Sequence, residues 1–251
     1  MHIAAFNESI MLVLKFRIGG NLRFLSHAQM LSVFQRACVR AGLKIQYSQG
    51  FNPRPRLSLP LPRPVGVASD DELLYLRVSR APCLVPRAPG EQQATDYELR
   101  IKAGLSAQLP EGCELLSVNV AKANTSFQPC SAAYVLAVRK EYLNEELKAT
   151  IKRLLASKSI SIQRQIGKKK SRFENHLSAV ASAKAEESKI KNIDVRGFLK
   201  SIELDRNSII VECKISLAGS IRVEEILKLL DLDVEKLASP IRRTNVQWQQ
   251  T

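Results

Sequence analysis

Nine basic side chains and no acidic one lie between Glu8 and Asp70: Lys15, Arg17, Arg23, Arg36, Arg40, Lys44, Arg54, Arg56 and Arg63. Folded surfaces normally intersperse both signs, because a single-sign surface repels itself. An acid-free stretch of this length points to a polyanion that it receives. Arginine suits phosphate, since its planar guanidinium makes multidentate contacts. Phe24, Tyr47 and Phe51 are interleaved with these charges. Unpaired bases stack on such rings, so the mixture suits RNA rather than a membrane surface. Phe51, flanked by Gly50 and Pro53, is expected to be exposed, whereas Phe24 and Phe34 are expected in the core. A second basic concentration spans 148–196 and is densest at Lys168-Lys169-Lys170 and Arg172. Lysine-rich loops are also often plain solvated segments.

Ser26 and His27 stand at an expected helix start, where free backbone N–H groups attract anions. The candidate anion- and RNA-binding set is therefore Arg23, Ser26, His27, Arg36, Arg40, Tyr47, Phe51, Asn52, Arg54 and Arg56. If RNA is cut rather than held, His27 is the general base of a metal-independent ribonuclease, with Tyr47 or an arginine as electrophilic helper. That reading rests on fold-level analogy with the CRISPR repeat-processing endoribonucleases. The alternative for His27 is a helix-start residue that bonds locally or packs. No metal or cofactor is expected. The five cysteines, Cys38, Cys83, Cys113, Cys130 and Cys213, form no CxxC pattern, and their number is odd. They read as free thiols in a reducing compartment, three of them (Cys38, Cys113, Cys213) in apolar settings. A weaker alternative is that the Ser48–Pro53 loop binds a small anionic substrate or S-adenosylmethionine, although Gly19-Gly20 lacks the spacing of a dinucleotide fingerprint.

The totals fit these local readings. The chain has 251 residues, 45% hydrophobic content and a formal charge of +14, enough for one large or two ordinary domains and for a real core. A basic balance argues for an anionic partner and says nothing about fold. No stretch approaches the roughly 20 apolar residues of a membrane span, and no signal peptide is recognisable. A cytoplasmic protein is expected, with residues 1–10 an extension ahead of a start at Met11.

Period-2 alternation predicts strands over 11–18, 44–48, 57–61, 72–78 and 113–120. A helix is predicted from Ser26 to Gly42: Ser26 and Gln29 form a capping box, and Leu25 and Met30 a hydrophobic staple. Met30, Leu31, Phe34, Ala37, Cys38 and Ala41 make its apolar stripe, and Gly42 is the expected stop. The prolines of 50–56 predict an extended, polyproline-like stretch. Residues 80–95 read as a Pro-rich loop, and 95–109 as a helix. The second half predicts strands at 132–139, 159–166, 208–216 and 241–248, and helices at 142–155, 194–202 and 221–230. Residues 167–191 read as a mobile Lys-rich loop. The expected fold is α+β, two ferredoxin-like βαββαβ halves with antiparallel sheets, 1–124 and 125–251. The alternative is one larger antiparallel sheet with helices on one face.

The segment 22–66 carries a specific likeness. Arg23-Phe24-Leu25-Ser26-His27, then Arg36-Ala37 with Arg40-Ala41-Gly42-Leu43, then Tyr47-Ser48-Gln49-Gly50-Phe51-Asn52-Pro53-Arg54-Pro55, then Leu61-Pro62-Arg63-Pro64-Val65-Gly66 stand in order. The segment resembles the family of radical-SAM-linked proteins, a domain of unknown function. Ile193-Asp194-Val195-Arg196, Gly219-Ser220-Ile221-Arg222 and Arg243-Thr244 are similar to it more weakly. Two positions depart from the pattern: Ala28-Gln29 follow the histidine where the family usually has an acid, and Arg54 and Arg56 stand where it often has His or Lys. The resemblance implies association with a radical SAM enzyme. The chain has no CxxxCxxC motif, so that enzyme is expected to be a separate polypeptide. The leading expectation is an RNA-binding or substrate-presenting accessory protein without catalysis of its own. The ribonuclease is one alternative. The other is a protein-interaction adaptor that docks through the Ser48–Pro53 loop.

Overall fold

A computed structural model describes residues 9–79, 91–122, 125–166 and 189–250. Among them are ten strands and four α-helices. In the first part the strands are β1 (Ser9–Ile18), β2 (Leu57–Ser58), β3 (Ala68–Ser79) and β4 (Cys113–Ala121), with helices α1 (His27–Arg40) and α2 (Glu91–Ser106). The second part holds β5 (Phe127–Ala137), α3 (Glu145–Ala156), β6 (Ser161–Ile166), β7 (Lys189–Asp194), β8 (Leu199–Asp205), β9 (Ser208–Lys214), α4 (Val223–Leu229) and β10 (Arg242–Gln250).

Eight strands form one mixed, mostly antiparallel sheet in the order β4-β1-β3-β10-β5-β9-β8, with β2 also on β3. β6 and β7 form a separate hairpin. Only the junction of β3 and β10 is parallel, through Arg242 opposite Ala68 and Arg243 opposite Ser69. Alternation along β1 buries Leu12, Leu14, Phe16 and Ile18 against α1 and α2, in a core completed by Leu74, Leu76 and Val78. A second core collects Ala132, Tyr134 and Leu136 of β5 with Ile209 and Val211 of β9, under α3 and α4.

Alpha helix α1 forms where its caps and stripe direct it. Gln29 N–H donates to Ser26 Oγ at 3.4 Å and Ser26 N–H to Gln29 Oε1 at 2.8 Å, which completes the capping box. Met30, Phe34, Ala37 and Cys38 are buried, and the Phe34 ring meets Phe16 at 4.5 Å, edge on. Gly42 turns the chain at φ +74°, a left-handed value that glycine adopts without steric cost.

Several expected elements differ. The helix expected over 194–202 is absent: Arg196–Phe198 is a 3-10 turn, and Leu199–Asp205 is strand β8. Val195, Phe198, Leu199 and Ile202 mimic helical spacing because the β8–β9 register slips between Leu199 and Ser201. The bulge brings Leu199 and Ile202 to the same buried side. Strand β6 pairs outside the main sheet. The expected strand over 44–48 makes only isolated bridges, at Ile45 and Tyr47. The strand over 57–61 is only Leu57–Ser58. Ser9 and Ile10 belong to β1, opposite Ser79 and Val78, so they are part of the sheet rather than of an extension. Residues 91–95 are helical rather than loop, and 189–191 lie in β7. The rest of the two loop expectations, 80–90 and 167–188, falls outside the described residues. Among the described residues no helix is long and apolar enough to cross a membrane.

Candidate functional site

The nine cations of the acid-free stretch have different fates. Lys15 and Arg17 leave β1 on the face away from the core, where acids arrive from other strands. Lys15 Nζ lies 3.9 Å from Asp71, and Arg17 pairs with Asp70 at 3.4 Å and Glu114 at 2.9 Å. Asp70 also takes Arg242 at 2.8 Å. Lys15, Arg17 and Arg242 are therefore neutralised where they stand.

Arg63 is structural. Its guanidinium donates to the carbonyls of Leu22, Arg23, Leu25, Pro64 and Val67. Burial pushes it below the ordinary arginine range and neighbouring Glu72 opposes that shift. Arg243 is 0% exposed, bonds to Glu72, and donates to the carbonyls of Leu61 and Pro62. These two arginines fasten the Arg23–His27 run, the Leu61–Gly66 segment and β10 together. The weaker similarities are structural in the same way. Asp194 accepts from the N–H groups of Ile160 and Arg196, which holds its carboxyl below the usual carboxylate range. Arg196 donates to the carbonyls of Leu155, Ser157 and Leu199. In the second basic concentration, Arg164 is held by Glu225 at 2.8 Å and by the Ser220 carbonyl; Lys168–Lys170 and Arg172 lie outside the described residues.

Residues 44–58 explain the Tyr47–Pro55 motif. Lys44, Ile45 and Gln46 lie along the edge of β3: Ser79 N–H donates to the Lys44 carbonyl, and Gln46 N–H to the Arg77 carbonyl at 2.8 Å. Arg56, Leu57 and Ser58 continue along that edge, with Arg77 N–H donating to the Arg56 carbonyl at 2.9 Å and Leu57 opposite Leu76. Between them the chain leaves the sheet and returns as a hairpin. Tyr47 opposes Pro55, Ser48 N–H donates to the Arg54 carbonyl at 2.8 Å, and Arg56 N–H to the Gln46 carbonyl at 2.7 Å. Gly50 shapes the tip at φ +128°, a conformation open to glycine and strained for other residues.

Alternation along this hairpin separates the candidate residues. Ile45, Tyr47, Pro55 and Leu57 share one face, the one whose Ile45 is buried in the core. Arg54 and Arg56 share the other with Gln46 and Ser48. Tyr47 and the two arginines are therefore on opposite faces. Phe51 stands at the tip, 108% exposed, beside exposed Asn52. Arg54 and Arg56 are exposed, and no acid pairs with either among the described residues.

The remaining candidates sit on or before α1. Arg23 donates to the Gly20 carbonyl at 2.8 Å and covers the Phe24 ring at 4.3 Å. Phe24 is 55% exposed, which corrects its expected place in the core: it precedes the helix, and Leu25 takes the inward position. Arg36 turns its Nε back to the Ser32 carbonyl, and Arg40 is exposed at the helix end. Ser26 is committed to the cap. His27 borders a crevice of about 10 Å³ with Phe16, Met30, Leu59, Arg63 and Glu72. That is room for about one water and not for a nucleotide. Among the described residues no group of three or more His, Cys, Asp or Glu side chains could hold a metal ion. Burial pushes the thiols of Cys38 and Cys213 up to about 12, so neither is a nucleophile at neutral pH.

The molecule is thus a mixed α+β protein with an arginine-bearing aromatic hairpin projecting from its sheet edge. The sequence profile of a bacterial family matches residues 11–228, and the chain belongs to that family, described as "Uncharacterized protein conserved in bacteria (DUF2344)". No curated protein matches it.

Proposed function

We propose that the protein is an RNA-binding accessory protein that presents its RNA to a separate radical SAM enzyme, and that it is built from two ferredoxin-like halves. The strand orders β4-β1-β3-β2 and β10-β5-β9-β8 support the architectural part. The observation that carries the function is the hairpin: a fully exposed phenylalanine at the tip, with two arginines on one flank that have no acidic partner among the described residues. An exposed aromatic of this size has no role in the chain's own packing, and an aromatic beside unpaired arginines is what an unpaired base and its phosphates require. Motif resemblance alone supports the partner enzyme. The crevice beside His27 is too small for a nucleotide, which favours holding RNA over cutting it.

Fluorescence anisotropy with a labelled single-stranded oligoribonucleotide tests this reading. Arg54→Ala and Arg56→Ala should each flatten the slope of log affinity against log salt by about 0.7, the release of one counterion from a single strand. Phe51→Ala should weaken binding about 5- to 150-fold, the worth of one stacked base, and leave the slope alone. Absence of binding by the parent protein, or arginine variants that keep the parent slope, would overturn it.

A further inference from the structure

A cleft of about 360 Å³ lies where the segment before β3 meets the second part of the chain. Small-molecule sites run from about 300 to 1,000 Å³ and favour such junctions. One wall is Leu61, Pro62 and Pro64; the other is Ile215 and Ile221, between β9 and α4. The deepest residues of its lining are Tyr134 of β5 and Cys213 of β9, 7% and 1% exposed. Tyr134 stands opposite Arg243 across the β5–β10 pair, with its hydroxyl beside the buried guanidinium. That hydroxyl donates to no acceptor among the described residues.

Arg63 also borders the cleft. Its hydrogen bonds all go to uncharged carbonyls, and the neighbouring carboxylate, Glu72, is already bonded to Arg243. Two guanidiniums thus share one carboxylate, and one positive charge has no counterion of its own among the described residues. An uncompensated cation withdrawn from water is costly, and an anion in the cleft offsets that cost. At the mouth, Arg222 and Glu224 are exposed and opposite in sign, so a polyanion gains little there.

We propose that this cleft binds a small carboxylic acid with an apolar body. Its carboxylate accepts from the Tyr134 hydroxyl in the field of Arg63 and Arg243, and its body lies between the two prolines and the two isoleucines. The donor set selects the class. One uncompensated charge and one free hydroxyl match a monoanion with two oxygens. A phosphate dianion would bring a second charge and a third oxygen without partners. The cleft shares no residue with the hairpin over 44–58, so this site stands or falls apart from RNA binding.

The test is nuclear magnetic resonance of the full chain, labelled with carbon-13 at the isoleucine, leucine and valine methyls. It is titrated with sodium octanoate and, separately, with octanamide, the neutral twin. Octanoate should move the methyls of Leu61, Ile215 and Ile221 saturably and bind about tenfold or more tightly than octanamide. Tyr134→Phe should weaken octanoate about tenfold, the loss of one hydrogen bond to a charged group. Ile215→Trp, which fills the cleft from its wall, should abolish binding of both. Circular dichroism melts check that each variant folds, and Ile215→Trp decides alone where Tyr134→Phe does not. The proposal is overturned by no saturable shift, by equal affinity for acid and amide, by shifts only outside the cleft, or by binding that survives Ile215→Trp.

Discussion

At the scale of single residues, one side-chain type does three jobs. Arg63 and Arg243 are internal fasteners, Arg17, Arg164 and Arg242 sit in ion pairs, and Arg40, Arg54 and Arg56 have no acidic partner among the described residues. Composition and spacing singled out the stretch but could not sort it, because the sorting acids Asp70, Asp71, Glu72 and Glu114 come from β3 and β4. Arg243 was legible only as a weak similarity. Removing one partner of a buried pair leaves the other charged and unsolvated. Arg243→Ala should therefore cost about 3–5 kcal/mol, read as a lowered urea midpoint, and Arg243→Met with Glu72→Leu should recover most of it. The thiols give a second prediction at this scale. Folded Cys38 and Cys213 hold their protons to about 12, against about 8.5 in an unfolded chain. Their contribution to stability is whole below the unfolded value and is lost as pH rises toward 12. At pH 9, iodoacetamide should therefore modify both in urea and neither in the native protein.

Element by element, legibility followed locality. The capping box of α1, its stripe and its glycine stop are contained in residues 26–42, and all stand where the sequence puts them. The Tyr47–Pro55 motif was readable as an exposed loop but not as a hairpin set into an edge strand, because that depends on pairing with β3. Nor could β8 be told from a helix, since one bulge imitates helical spacing. The hairpin invites a direct test. Replacing 49–53 by Asn-Gly, a two-residue type I′ connection between Ser48 and Arg54, removes the tip and keeps both arginines. The melting temperature should hold, RNA affinity should fall as far as in Phe51→Ala, and the salt slope should stay that of the parent.

For the whole molecule, charge sets opposing responses to salt. A net charge of +14 repels itself in the compact state, and ions relieve that repulsion within a Debye length of about 8–10 Å. Between 50 and 500 mM sodium chloride the melting temperature should rise, while affinity for single-stranded RNA falls. A protein whose excess charge were matched internally would show neither trend, so scanning calorimetry and anisotropy over one salt series check both.

Strand β10 has a consequence for how the chain is made. It is the last of the described strands in sequence, yet it lies mid-sheet between β3 and β5. Until residues 242–250 leave the ribosome, a nascent chain displays two open strand edges facing each other, each a template for pairing with another chain. The sheet therefore closes only once residues 242–250 have been made. Loss of those nine residues would open the sheet at its middle and turn a late folding step into a site of aggregation.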